Sequence, residues 1–473
     1  MRPTPLLPAV LVAALIALQP GASAAQGGQC SLDGLSLGAG QQHVFYSARS
    51  VPLGSECAAL AQPRSCGADG LSGNASYRYH DCIELEEFMG VNTNRKPGEL
   101  DPALLARTGT TWIRSNVEVL TYKDQHDGKV QNQAKLERWD FADWDTYTAA
   151  ADAGERRAIL NLMWDFEARG SHPPLPGSQE EKDLFAYLDL QILDKLAPHV
   201  DILTTGNEPF VNTLEEDWHP QEAYGGIPIV VFYQRLTEHV DAYLVDRGLR
   251  DQISLYMGAF TRLHTEKMQR QPAVLALLDF AETAPYVDGV DMHTHVVNVN
   301  QIGKALAFAR EHTSKPIVVT EFTFVWRMKQ AIEEGDRLGP HFAKRWSRDA
   351  NETIHDYMSC EVFALAKGCR RNAGVSKAEW DDFFATRDWY IDHFILQAYD
   401  LFRQYGVRGA TFGLVQGTPT RQQLQPNRPP WYMGFLFAAA AVPPGADGQP
   451  QPNYQYLDDF LTIQQQRAAR IRH

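Results

Sequence analysis

The chain has 473 residues, of which 44% are hydrophobic and 11% aromatic, and its formal net charge is −14 at pH 7. That composition provides for a packed core and excludes disorder of the whole chain. The acidic balance, with no basic stripe, argues against a nucleic-acid surface, which needs clustered Lys and Arg against phosphate.

Residues 1–25 predict a signal peptide: Arg2 precedes an apolar run from Leu6 to Leu18, and the small residues Ala22, Ser23 and Ala24 follow. The run falls short of the roughly 20 residues that a membrane span needs. The expectation is a cleaved, soluble chain, secreted or periplasmic.

Residues 26–85 are rich in Gly and Ser and contain Cys30, Cys57, Cys66 and Cys82, and they predict a small β-rich module; Cys360 and Cys369 lie far downstream. An even cysteine count in an exported chain predicts disulfides, and the first four cysteines allow three pairings. No Cys-x-x-Cys spacing suggests a cysteine metal site. The stretches FYSARSVPLGSEC, RSC and GLSGNASYRYHDC resemble small four-cysteine modules that recur in bacterial exported proteins. That resemblance implies no activity; the expected role is a stabilising module, with carbohydrate binding or surface attachment as the alternative.

From residue 86 to 445, short apolar β-branched runs alternate with amphipathic stretches, the pattern of repeated βα units. Eight strands are predicted in order: EFMGVN, TTWIRSN, AILNLMW, DILTTGN, ISLYMGA, VDGVDMH, PIVVTEF and VRGATFG. Eight such units predict an α/β fold of the (β/α)₈ TIM-barrel type. An insertion at about 325–390 follows the seventh strand and is expected to form a helical flap over the barrel mouth. YMGFLFAAAAV predicts a helix, and residues 446–473 a polar tail helix at the surface.

In such a barrel, functional groups sit at the C-terminal strand ends. Glu208 in ILTTGNEPF and Glu321 in IVVTEFTF occupy two of these ends, and Arg114 in TTWIRSN a third. The TGNEP and VVTEF motifs on the fourth and seventh strands, with the arginine on the second, resemble clan A of the retaining glycoside hydrolases over about Glu87 to Gly417. The resemblance implies Glu208 as acid/base, Glu321 as nucleophile, Asn207 as partner of the substrate 2-hydroxyl and Arg114 as the cation that keeps Glu321 ionised, while the like charge of Glu321 is expected to raise the pKa of Glu208. It also implies hydrolysis of β-linked oligo- or polysaccharide with no cofactor and no metal.

His293 and His295, at i, i+2 spacing in VDMHTHV, point to one side of a regular strand. Clan members commonly carry a histidine or tyrosine here that contacts nucleophile or substrate, and the tyrosine that many possess is His295 in this chain. Trp164 and Trp326 are the preferred sugar platforms, ahead of Phe210 and Phe412, because each follows a strand end beside polar neighbours. Asn161 and Asp165 are candidates for reaching hydroxyls. Two other functions fit the same residues: a metal-dependent barrel hydrolase built on His293 and His295, and a non-catalytic carbohydrate-binding protein.

Overall fold

The computed structural model describes residues 29–33, 35–47, 50–52, 57–78, 80, 82–85, 89–120, 142–153, 156–365, 369 and 374–470. The expected signal peptide lies outside them. The chain divides into two compact units, Met1–Glu86 and Glu87–His473. Among the described residues no helix is long and apolar enough to cross a membrane.

The first unit is built from short strands. Gln29–Leu32 and Leu35–Gly38 form a hairpin, Gln42–Tyr46 pairs antiparallel with Ala61–Gly67, and Ser50–Pro52 runs parallel to Ile83–Leu85. Its core is small, with Cys30, Leu37, Phe45 and Cys66 at the centre. Of the three possible pairings the structure has Cys30–Cys66 and Cys57–Cys82. Arg64, buried beside Phe45, donates to the carbonyls of Ser72 and Tyr77 and ties the loop to the strands.

So little apolar burial makes the cross-links decisive. They close loops with sequence separations of 36 and 25 residues, and by chain entropy each contributes about 3 to 4 kcal/mol. Alkylation of the native protein followed by mass spectrometry is expected to modify no cysteine between Cys30 and Cys82 before reduction and all four after it. Modification without reductant would contradict the pairing.

The second unit is a closed barrel of eight parallel strands: β1 (Met89–Asn92), β2 (Trp112–Glu118), β3 (Arg157–Met163), β4 (Ile202–Thr204), β5 (Ser254–Thr261), β6 (Gly289–His295), β7 (Ile317–Thr323) and β8 (Val407–Val415). The strand β8 pairs with both β7 and β1, which closes the cylinder. These strands are nearly continuous apolar runs because helices cover their outer faces while side chains fill the interior. Trp112, Ile159, Ile202, Tyr256 and Val318, one from each of five strands, form an apolar layer separate from the larger core between strands and helices. The period of two then sets the next layer: Arg114 follows Trp112 on the same face of β2, and Asn161 follows Ile159 on β3. A third disulfide, Cys360–Cys369, lies in the connection between β7 and β8.

Three elements differ from the sequence reading. The insertion forms helices Val325–Glu333, Gly339–Trp346, Ile354–Tyr357 and Lys377–Ala385. None of the described residues of 325–390 is among those lining the cleft at the barrel mouth. Phe342, Tyr357, Trp380, Phe383 and Phe384 instead pack against one another in the core, and this burial holds the insertion as a packed subdomain, not a flap. The expected helix in YMGFLFAAAAV is a strand, β9 (Phe435–Phe437), parallel to β8 at Gly413 and Val415; sheet pairing and the Pro443–Pro444 stop override the helix propensity of the alanines. The tail helix Tyr456–Arg470 is not a free surface helix. It buries Tyr456, Phe460 and Ile463 on one stripe, and Gln464 donates to the carbonyl of Met89.

Candidate active site

The C-terminal strand ends open into a cleft of about 510 Å³ lined by Asn92, Asn116, Asn207, Glu208, His295 and Glu321, among others. Glu208 follows β4 across Gly206, where chain approach is close: a Cβ at Gly206 would lie 2.1 Å from the carbonyl oxygen of Gly258. Glu208 itself has φ +49, the left-handed region that non-glycine residues seldom adopt. Its N–H donates to Ala259, and its carbonyl accepts from Val211 and Asn212. The surrounding hydrogen bonds hold a turn costing about 1 to 3 kcal/mol, and that turn delivers the carboxylate to the cleft.

Glu321 reaches the same cleft through an irregularity in β7. Met292 pairs with Val319 but His293 pairs with Glu321, so Thr320 is an extra residue on β7. A bulge of this kind re-aims the side chains that follow it. Here Thr320 bonds to groups inside the barrel and Glu321 also faces the cleft.

Arg114 is fully buried and joins the pieces. It donates to Glu321 Oε1 (2.6 Å), Asn92 Oδ1 (3.0 Å), Asn161 Oδ1 (2.9 Å), Asn94 Oδ1 (3.2 Å) and Asn207 Oδ1 (2.5 Å). With Asn207 Oδ1 engaged there, its Nδ2 is left to donate into the cleft that the residue lines. His293 Nδ1 lies 3.2 Å from Glu208 Oε1, and His295 Nε2 lies 3.8 Å from that oxygen and 3.4 Å from Glu321 Oε2. One nitrogen thus touches both carboxylates.

The charges are strongly coupled. Burial disfavours ionisation of Glu321, but the positive charges of His293 and Arg114 and the hydrogen bond from His295 outweigh it and hold Glu321 well below the usual carboxylate range. For Glu208, burial and the neighbouring Glu321 act upward, and the His293 and His295 imidazoles prevail and pull it down. His293 loses basicity to burial but regains more from Glu321, Glu208 and Asp291, and lies above its usual value. The sequence reading expected the like charge of Glu321 to raise Glu208. In the free site the proton belongs instead to the Glu208–His293 pair, with the histidine as its main holder.

Trp164 is not a platform. It is fully buried, its indole N–H donates to the carbonyl of Thr205 and its ring meets Phe232 of the outer helix Pro228–Asp246. Phe210 packs on Trp218, and Phe412 on Phe322 and Tyr456, both in the core. Trp326 is half-buried behind another tryptophan, Trp431, with ring centroids 5.9 Å apart. Asn161 is fully buried and spends its amide on Arg114 and Asp291, and Asp165 caps the helix Phe166–Arg169, so neither is aimed at a ligand.

The sequence reading missed Trp431, 46% exposed, which lines the cleft with its ring 4.8 Å from that of His295. It also missed Asn116, whose buried Oδ1 has no hydrogen-bond partner among the described residues. Asn116 repeats the alternation of Trp112 and Arg114 on β2, and that period was a readable signal. Asp291, two residues before His293 on β6, carried the same signal.

No protein-family model and no curated protein matches the chain. Solved structures do. A beta-glucosidase from Exiguobacterium marinum is 9% identical, with 82% of this chain and 99% of that one covered and a TM-score of 0.44. A glycoside hydrolase family 5 enzyme from Prevotella bryantii B14 is 12% identical over 81% and 96%, with a TM-score of 0.40. An oligosaccharide-binding protein of family GH128 from Trichoderma gamsii is 10% identical over 79% and 95%, with a TM-score of 0.34. At such identities and scores, the activity of this chain has to be argued from its own residues.

Proposed function

We propose that this chain is an exported retaining glycoside hydrolase acting on β-linked oligo- or polysaccharide, with Glu321 as nucleophile and Glu208 as acid/base. The observation that carries the reading is Arg114 at 2.6 Å from Glu321, which keeps one carboxylate ionised while the other, Glu208, lies 3.2 Å from His293 Nδ1 and is left the acid/base role. Retaining hydrolysis requires that division of labour. The contacts of His295 Nε2 limit the separation of the two carboxylate oxygens to about 7 Å, a bound that takes in the roughly 5 to 5.5 Å of retaining enzymes and omits most of the inverting range.

In this reading Glu321 attacks the anomeric carbon while Glu208 protonates the leaving oxygen, drawing its proton from His293 once their 3.2 Å contact, out of line in the free site, aligns around substrate. Glu208 then takes a proton from the water that releases the sugar. The Asn207 amide and Asn116 Oδ1 suit sugar hydroxyls, and Trp431 suits the apolar face of a ring. A second cavity of about 440 Å³, lined by Lys96, Gly417, Gln423, Trp431 and Phe435 among others, shares those residues with the cleft and extends it into a groove fit for more than one sugar unit. The leader sequence and the three disulfides support export.

The test is a panel of polysaccharides and aryl β-glycosides offered to protein dialysed against a chelator. Turnover of at least one β-glycoside, with Trp431→Ala raising KM more than it lowers kcat, is expected. Binding of a sugar without turnover would turn the reading to a non-catalytic carbohydrate-binding protein.

A further inference from the structure

Both cleft histidines are held from behind by a threonine. His293 Nε2 lies 3.0 Å from Thr320 Oγ1, and that hydroxyl donates to Asp291, 2.8 Å from each of its oxygens. With its one proton so committed, Thr320 accepts from His293 Nε2–H, which leaves Nδ1 for the cleft. His295 Nδ1 lies 3.0 Å from Thr323 Oγ1, which leaves Nε2 for the cleft. Fixing one ring nitrogen from outside so that the other projects inward is the support that metal-bound imidazoles ordinarily have.

The inward atoms have ligand spacing. His293 Nδ1 is buried and makes no hydrogen bond among the described residues; Glu208 Oε1 is 3.2 Å away but out of line for one. One ligand atom each from Glu208, His293 and His295 lie within 4.8 Å of one another, and Glu321 Oε2 is 3.4 Å from His295 Nε2. Ligands bound at about 2.0 to 2.1 Å in a tetrahedron stand about 3.3 Å apart, and the separations of 3.2, 3.4 and 3.8 Å bracket that value. Two imidazoles with carboxylates suit zinc and its neighbours and not magnesium or calcium, which take oxygen ligands in larger number.

We propose that Glu208, His293 and His295 bind a divalent transition-metal ion of the zinc class beside Glu321, and that the bound ion shuts the site to glycosidic chemistry by occupying the acid/base carboxylate. The binding does not depend on the reading given above; the shut-off rests on it. Arg114, bonded to the other oxygen of Glu321, opposes a second cation and makes this site weaker than a dedicated structural zinc site.

The experiment titrates the chelator-dialysed full chain with Zn²⁺ by calorimetry and with Co²⁺ by visible absorption. One ion per chain is expected, with the absorption of four-coordinate cobalt. His293→Gln and His295→Gln should each weaken binding about tenfold or more, whereas His199→Gln, which alters a histidine paired with Asp152 elsewhere, should not. No stoichiometric binding, or equal affinity in both cleft variants, overturns the site. If a cleft variant fails to fold, X-ray absorption of the zinc-loaded wild type decides, with two imidazole ligands expected and fewer overturning the site. Turnover of a glycoside by the dialysed chain that stops at one equivalent of zinc supports the shut-off. Turnover unchanged by bound zinc overturns it, and turnover that requires zinc keeps the site but overturns the two-carboxylate reading.

Discussion

Glu321→Ala is expected to lower turnover by a factor on the order of 10⁴ or more, because it removes the group proposed to form the glycosyl-enzyme. Added azide should restore product formation from a glycoside with a good leaving group, entering from the face that the carboxylate vacated and giving a glycosyl azide of inverted configuration. Glu208→Ala should behave differently. Its loss is expected at about 10² to 10⁴ for substrates that need a proton on the leaving group. With a good leaving group the covalent intermediate still forms, deglycosylation becomes slow, and azide should accelerate that step and give retained configuration. The products are checked by NMR at the anomeric position. The opposite pair of configurations would exchange the two roles, and wild-type turnover in either variant would place the chemistry elsewhere.

Arg114→Met is the second large change. The guanidinium keeps Glu321 below its ordinary value, so removing it raises the carboxyl pKa. A nucleophile is inactive once protonated, and the acid limb of kcat/KM should therefore move to higher pH. Turnover should fall by about 10² to 10³, comparable to removing one preorganised donor from a charged transition state. Stability should fall too. Arg114 is fully buried and satisfies Asn92, Asn94, Asn161 and Asn207 as well as Glu321, and breaking a buried ion pair costs about 3 to 5 kcal/mol. Arg114→Lys separates the effects: retaining the charge should keep the acid limb close to wild type while the lost fork lowers kcat. An acid limb unmoved in Arg114→Met, with near-normal turnover, would make the arginine purely structural.

Much of this architecture was legible because the barrel strands are continuous β-branched runs and the site residues stand at their ends. Arg114, Asn207, Glu208, His293, His295 and Glu321 were all identified from strand position and motif, and the structure brings them together, with Asn207, Glu208, His295 and Glu321 lining the cleft and Arg114 and His293 buried behind them. What escaped depended on contacts between distant segments. Trp431 sits in the loop PNRPPWY, where no periodicity marks one aromatic as exposed and Phe412 as core. Trp164 looked accessible because it follows β3, but the helix Pro228–Asp246 covers it. The tail helix looked polar because glutamines and arginines outnumber the stripe of Tyr456, Phe460 and Ile463, whose spacing was there to be read. The insertion was taken as a flap from its place after β7, whereas its described helices bury a cluster of aromatic rings and none of its described residues lines the cleft.

The electrostatics teach a related lesson. From sequence, two glutamates and an arginine suggest a proton on Glu208 raised by its neighbour. The two histidines reverse that shift, and only the side-chain distances reveal it. The free protein should thus show a kcat/KM bell whose acid limb lies below the ordinary carboxylate value of 4.5 and whose basic limb lies above the ordinary histidine value of 6.5.

The covalent intermediate is the centre of the account. Incubation of the wild-type chain with aryl 2-deoxy-2-fluoro-β-glycosides, chosen from sugars that it turns over, followed by proteolysis and tandem mass spectrometry, addresses it directly. A single adduct on Glu321, absent from Glu321→Ala and still formed in Glu208→Ala, is the expected result. An adduct on any other residue, or steady turnover of the parent glycoside with inversion and no adduct, would contradict the double displacement.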